Sequence, residues 1–311
     1  MIYIPGNRCY KGFKLNTNEN QFLISKNIFF LIKIMSKYFE KLNLYPDSNN
    51  LFFLQIISVF LKINKNKIFI SNGSDESLFF IFYLFKNFKL KISKISYPFY
   101  NIYLNFYKIK NKKINFKKII KFKNILLTIP NSPTGEIFKK KKILKIINKK
   151  NFLIIDEAYS DFYNKGYKKY INDNNNLLII TTLSKSFSAA GIRIGLVFSN
   201  KKIINKLNII KKCFNSYNIN TISSYIGIEC IKDKNWINYN LQKNNYIQLL
   251  FNFFFKINNK GNFIFLKKNV NYYLFFKKKN FFFRNFKNYI RITIPKFFIF
   301  KLIINLNFTW S

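Results

Sequence analysis

Lys185, Arg193 and Asp156 are the residues of this sequence whose types and spacing suit one piece of chemistry. Lys185 stands in the run Thr181-Thr182-Leu183-Ser184-Lys185, where an apolar stretch gives way to small residues. Arg193 follows eight residues later, and Asp156 closes another apolar stretch 29 residues earlier. An amine, a guanidinium and a carboxylate at the ends of buried strands can hold a flat, phosphorylated, cationic aldehyde and bond to it covalently. A carboxylate at the end of a buried strand needs a cation, because burying it unpaired is costly. A protonated ring nitrogen would answer Asp156, and Tyr159, three residues on, could reach the same ring. Lys185, held near that ring and Arg193, would then be free as an amine.

Two turns extend the constellation. In Ser71-Asn72-Gly73-Ser74-Asp75-Glu76 a strand passes through a glycine turn into a helix. The free N–H groups and dipole of such a helix start attract phosphate. Alone, the segment reads better as an ordinary helix cap by Ser74 or Asp75. Pro130-Asn131-Ser132-Pro133-Thr134-Gly135 follows a further apolar strand. Its prolines fix a rigid turn whose polar side chains could bond a ring substituent.

Composition removes competing chemistries. Histidine is absent, which excludes Ser-His-Asp and Cys-His catalysis and histidine-based metal sites. Cys9, Cys213 and Cys230 are odd in number and have no CxxC spacing, so neither a disulfide framework nor a zinc site is indicated. A reducing, cytoplasmic compartment is the expectation. The 54 Lys+Arg against 12 Asp+Glu give a net charge of +42, which would ordinarily point to a nucleic-acid or membrane partner. The lysines form no single tract and accompany an excess of Asn, Ile, Phe and Tyr, as a strongly AT-biased genome would produce. Nucleic-acid binding is therefore an outside alternative. No apolar run reaches membrane-span length, and Leu78–Phe85 stops after eight residues. The N-terminus lacks the layout of a signal peptide.

The positioning elements follow from pattern. Helices are expected at Leu51–Ile63, Asp75–Asn87, Lys139–Asn148 and Lys201–Lys212. Strands are expected at Lys67–Ser71, Lys94–Tyr97, Asn124–Ile129, Phe152–Asp156, Leu177–Thr182 and Ile194–Ser199. Short strands that are apolar throughout and separated by helices predict an α/β domain, a mostly parallel sheet covered on both faces. Ligands of such sheets gather at the carboxyl ends of the strands. Beyond residue 215 a long helix, Trp236–Lys256, and strands at Phe263–Leu266, Tyr272–Phe276 and Tyr289–Ile294 predict a smaller α+β domain. The expected division is 46–215 as the large domain and 1–45 with 216–311 as the small one.

Taken together, these segments resemble the fold-type-I pyridoxal-phosphate aminotransferases, and among them the histidinol-phosphate aminotransferases. The resemblance runs from Lys14-Leu15-Asn16-Thr17-Asn18-Glu19-Asn20 through Tyr45-Pro46-Asp47, the two turns, Asp156-Glu157-Ala158-Tyr159 and Ser184-Lys185-Ser186-Phe187 to Arg291-Ile292-Thr293-Ile294. It implies a pyridoxal 5′-phosphate cofactor joined to Lys185 as a Schiff base, with Lys185 afterwards moving the proton. Asp156 would pair with the ring nitrogen, Tyr159 with the ring hydroxyl, and Tyr100 would stack on the ring face. Gly73, Ser74 and Asp75, with Thr182, Ser184 and Arg193, would hold the phosphate. Tyr45 would reach the phosphate in a neighbouring subunit, which implies a homodimer. Arg291, helped by Arg284, would grip the anionic end of histidinol phosphate and of glutamate in turn. Many relatives carry Asn where this chain has Ser132, so the ring-hydroxyl bond would come from Ser132 or Asn131. Pro295 also replaces the family's usual glycine. The implied reaction converts imidazole-acetol phosphate and glutamate to L-histidinol phosphate and 2-oxoglutarate. An aromatic or broad-specificity aminotransferase is the nearest alternative, and a decarboxylating lyase of the same fold a further one.

Overall fold

A computed structural model describes residues 11–37, 43–148, 152–163 and 166–304; Cys9 lies outside them. The chain begins with β1 (Phe13–Lys14), α1 (Lys26–Met35) and α2 (Leu51–Leu61). Then come β2 (Ile68–Asn72), α3 (Gly73–Leu84), β3 (Leu90–Ser93), α4 (Pro98–Phe106), β4 (Asn111–Ile114) and α5 (Phe116–Ile119). They are followed by β5 (Ile125–Thr128), α6 (Lys140–Ile147), β6 (Leu153–Asp156), β7 (Leu177–Thr182), β8 (Ile194–Phe198) and α7 (Lys201–Phe214).

These strands form one seven-stranded sheet in the order β2-β8-β7-β6-β5-β3-β4. Only β8 runs antiparallel to its neighbours. Successive side chains of a strand point to opposite faces, and both faces are covered here. Leu153, Ile155, Leu177 and Ile179 join one core cluster, while Ile154, Leu178 and Ile180 join the other. That is why the strands are apolar at every position rather than at alternate ones.

The reversal of β8 matters for chemistry. The carboxyl ends of β2, β5, β6 and β7 share one edge, and the amino end of β8 returns to that edge. Its first residues, Ile194 and Gly195, pair with Asn72 and Thr182. Arg193, immediately before them, is thus delivered to the strand ends that carry Gly73, Asp156 and Lys185.

The remaining elements are α8 (Thr221–Lys232), α9 (Lys234–Phe254), β9 (Phe263–Lys267), α10 (Val270–Lys278), β10 (Phe281–Phe282), β11 (Arg284–Asn285), β12 (Tyr289–Thr293) and α11 (Phe297–Ile304). A three-stranded antiparallel sheet, β11-β12-β9, packs its Ile264, Leu266, Ile290 and Ile292 into a third core cluster with Leu15, Phe251 and Phe300. The N-terminal segment joins this cluster, and β1 pairs with β10. Helix α8 instead turns Ile226, Ile228 and Ile231 into the cluster that holds Phe53 and Ile57.

Two expected strands fall elsewhere. Lys94–Tyr97 is the turn between β3 and α4; the strand is Leu90–Ser93, whose Leu90 and Ile92 are buried while Lys91 interrupts the apolar pattern. Tyr272–Phe276 lies within helix α10. The aromatic run favours a strand locally, but Lys277 sits four residues beyond Tyr273 with its ammonium 5.0 Å from that ring, a helical spacing.

The lysines distribute without a common face. Helix α6 packs Ile143 and Ile147 on one side of the sheet, and α7 packs Ile204 and Leu207 on the other. Both carry exposed lysines outward. Exposed Lys112 and Lys113 on the edge strand β4 discourage pairing with another sheet. Among the described residues no helix is long and apolar enough to cross a membrane.

Candidate active site

At the carboxyl edge of the large sheet lies a cavity of about 130 Å³. Ser74, Asp75, Tyr97, Pro98, Thr128, Ser132, Asp156, Tyr159, Thr182, Ser184, Lys185, Arg193, Arg284 and Arg291 all line it, together with Thr17, Ala158 and Phe286. Most residues expected from the sequence therefore converge on one space.

One end is built for an anion. Gly73 opens α3 with φ +76°, a backbone that side chains resist, and Asn72 does not cap the helix with its side chain. A Cβ at Gly73 would lie 2.4 Å from Arg193 Nη2, so glycine is what lets the guanidinium rest against the helix start. Arg193 pairs with Asp75 across 3.3 Å, and the Tyr97 hydroxyl donates to the other Asp75 oxygen at 3.1 Å. The Asp75 side chain, being negative, orients Arg193 and Tyr97 rather than meeting an anion itself. The Ser184 N–H donates to Thr182 Oγ1 at 3.1 Å, which folds both hydroxyl residues back toward the cradle.

The middle is built for a ring. Asp156 is buried; the Ala158 N–H donates to its Oδ1 at 3.0 Å and the Tyr100 hydroxyl to its Oδ2 at 2.6 Å. Burial raises its proton affinity, and the Tyr100 bond opposes that rise. A cationic ring nitrogen would oppose it further. Tyr100 is fully buried beneath the cavity, also bonded to Thr128 at 2.8 Å, and so supports Asp156 instead of lining the site as a stacking ring. Tyr97 and Pro98 form that wall.

In the following turn the Ile129–Pro130 and Ser132–Pro133 peptides are both cis. Asn131 is turned away, its Nδ2 donating to Ile95 O at 3.0 Å and Thr134 Oγ1 at 2.7 Å. Ser132 lines the cavity with its buried Oγ lacking any partner in the protein. A buried hydroxyl left orphaned in a cavity wall is what a ligand oxygen would satisfy.

A short strap from the N-terminal segment closes the site. Three successive residues each hold one functional side chain. Arg291 Nη2 donates to Asn16 O at 3.1 Å, Lys185 Nζ to Thr17 O at 3.3 Å, and Asn18 Nδ2 to Tyr159 Oη at 3.0 Å. Asn20 adds a bond to Lys185 O at 3.0 Å. Beyond the strap, Arg284 and Arg291 are directly opposed across the β11-β12 pair. Like charges so placed repel, at a cost of up to about 1 kcal/mol, unless an anion lies between them.

Tyr45 is 80% exposed, stacks on Tyr217 with ring centroids 4.5 Å apart, and does not line the cavity of its own chain. Tyr97, Thr128, Phe286 and the roles of Thr17 and Asn18 were not anticipated from residue chemistry. For Thr17 and Asn18 the sequence signal is the Lys14–Asn20 segment; Tyr97, Thr128 and Phe286 lie outside it.

The family model for "Aminotransferase class I and II" matches residues 10–301. The chain belongs to that family. This aminotransferase is 41% identical over 239 residues to a histidinol-phosphate aminotransferase of Clostridium botulinum, covering 73% of this chain and 67% of the relative. It is 39% identical over 327 aligned positions to one from Brachyspira hyodysenteriae, covering 94% and 91%. The solved histidinol-phosphate aminotransferase of Clostridium acetobutylicum superposes with a TM-score of 0.83 at 24% identity over 96% of this chain and 98% of that one. The cofactor of the family, pyridoxal 5′-phosphate, has a phosphate, a ring hydroxyl and a ring nitrogen. The anion cradle, the orphaned Ser132 hydroxyl and Asp156 fit these in turn.

Beside the site, Glu157 is buried with Oε2 unpartnered, and burial pushes its carboxyl up to about 7. A carboxyl whose folded-state proton affinity is raised stabilises the fold below its ordinary range and loses that contribution as pH climbs toward 7. Glu157→Gln is therefore expected to raise the melting temperature at pH 8 by roughly 2–5 °C and to leave it unchanged near pH 4. Thermal unfolding of both proteins across that range is the check.

Proposed function

We propose that this aminotransferase converts imidazole-acetol phosphate and glutamate to L-histidinol phosphate and 2-oxoglutarate, in histidine biosynthesis, as a cytoplasmic homodimer. The observation that carries the substrate class is the opposed pair Arg284 and Arg291, both lining the cavity that also presents Lys185. Both substrates must offer an anionic end to the same place, and a guanidinium fork accepts phosphate or carboxylate alike.

The cofactor, when bound, accepts the substrate's amino group and spreads the electrons released at the substrate carbon. This chain's residues do the rest. Gly73, Ser74, Asp75, Thr182, Ser184 and Arg193 anchor the phosphate, the acidic side chain of Asp75 by steering Arg193. Asp156 keeps a proton on the ring nitrogen, with Tyr100 and Thr128 beneath it. Tyr159 and Ser132 meet the ring hydroxyl, Ser132 in preference to Asn131. Lys185 holds the cofactor and then carries the proton from the substrate carbon that bears nitrogen.

The homodimer reading is supported by exposed apolar side chains on the mutually packed helices α1, α2 and α8, among them Phe29, Phe30, Leu51, Phe52 and Tyr225. Tyr45 is likewise exposed and would cross to the other subunit's phosphate. The two domains are proposed as 46–215 and 1–45 with 216–311, with α1 and α8 seated on the large core.

The test is the visible absorption band of the reconstituted protein. It is expected to disappear on adding L-histidinol phosphate and to return with 2-oxoglutarate. A band that ignores histidinol phosphate but responds to aromatic amino acids would replace the substrate with the aromatic alternative.

A further inference from the structure

We propose that Asn18 is a positioning residue that turns the Tyr159 hydroxyl into a one-way donor toward the cofactor's ring oxygen and so sets the pH at which the Lys185 nitrogen titrates once joined to the cofactor. This rests on the reading of Tyr159 given above.

Asn18 is fastened on every side. It is 1% exposed and adopts φ 54°, a left-handed backbone that asparagine tolerates better than most residues. Its N–H donates to Thr293 Oγ1 at 3.0 Å, and its carbonyl accepts from Asn262 Nδ2 at 2.9 Å. Its side-chain Nδ2 donates to Tyr159 Oη at 3.0 Å, with Oδ1 on the far side 3.5 Å from Thr293 Oγ1, whose own proton goes to the Leu15 carbonyl at 2.9 Å. The Tyr159 ring is itself wedged edge-on against Phe263, with centroids 5.1 Å apart. Neither partner can turn away.

A phenol oxygen that accepts a hydrogen bond must direct its own proton elsewhere. Tyr159 lines the cavity, which is the direction left to that proton. A ring oxygen receiving that proton holds the one it shares with the adjacent nitrogen less tightly, and the nitrogen titrates at lower pH. The donor also belongs to the same strap as the carbonyls that hold Arg291 and Lys185. Asn18 thereby ties the ring oxygen to β12, the strand that carries Arg291.

The experiment titrates the visible band of the reconstituted protein for wild type, Tyr159→Phe, Asn18→Gly, Asn18→Asp and the Tyr159→Phe/Asn18→Gly double variant. Glycine keeps the left-handed backbone and removes the amide. Aspartate keeps the shape and accepts where asparagine donates. Tyr159→Phe is expected to raise the titration midpoint by about one pH unit, a tenfold change in proton affinity. Asn18→Gly should raise it by about half as much, and Asn18→Asp by at least as much as Tyr159→Phe. The double variant should match Tyr159→Phe alone, since Asn18 acts through that hydroxyl. An unmoved midpoint in both Asn18 variants, or additive shifts in the double variant, overturns the role of Asn18. A midpoint that Tyr159→Phe leaves in place overturns the reading of Tyr159 and the proposal with it.

Discussion

Lys185→Ala is expected to reduce turnover by about 10⁴-fold or more while the protein still takes up cofactor. The magnitude follows from losing a covalent anchor and a proton carrier in one side chain. Lys185 is the sole lysine among the described residues that line the cavity, so no neighbour can substitute. The cradle around Arg193 and the carboxylate of Asp156 do not depend on it. Cofactor should therefore remain with the variant through gel filtration, with its absorption at the position of the free aldehyde. Multiple turnovers by the variant would show that the amine lies elsewhere.

Arg291→Ala is expected to lower kcat/KM of both half-reactions, each by roughly 10- to 100-fold. A hydrogen bond to a charged group contributes on the order of 1.5–3 kcal/mol, and each 1.4 kcal/mol is a factor of ten. Arg291 is nearly buried, braced by the Asn16 carbonyl and with its guanidinium 5.8 Å from the centre of the Phe263 ring, so little solvent screens it. Following the cofactor band with glutamate alone, and then with histidinol phosphate alone, separates the two. An effect confined to glutamate would mean that the phosphorylated substrate is gripped by other residues, with Arg284 the first to examine.

The large sheet was legible because strands buried on both faces are apolar at every position, and the small residues that follow mark where each ends. Lys185, Asp156 and Arg193 stood out for the same reason: charged groups at the ends of such strands need a purpose. The strand at Leu90–Ser93 was harder to see, since Lys91 breaks its pattern. Helix α10 was misread because its tyrosines and phenylalanines favour a strand until the surrounding fold decides. Tyr100 was a different failure. Its position near the site could be inferred, but whether its ring faces the cavity or its hydroxyl reaches under Asp156 depends on packing with Thr128 across the sheet. Asn18 was least legible of all, because its meaning rests on Thr293 and Tyr159, which lie far from it in sequence.

That separation has a temporal side. Asn18 and Thr293 are 275 residues apart, whereas the phosphate cradle and Asp156 arise from segments between residues 71 and 195. A chain emerging from the ribosome folds in the order in which its partners become available. The seven-stranded sheet and its anion site can assemble once β8 has been made, while the strap must wait for β12. The growing polypeptide would thus carry the anion cradle and Asp156 well before Arg291 and the braced Tyr159 hydroxyl are in place to use them.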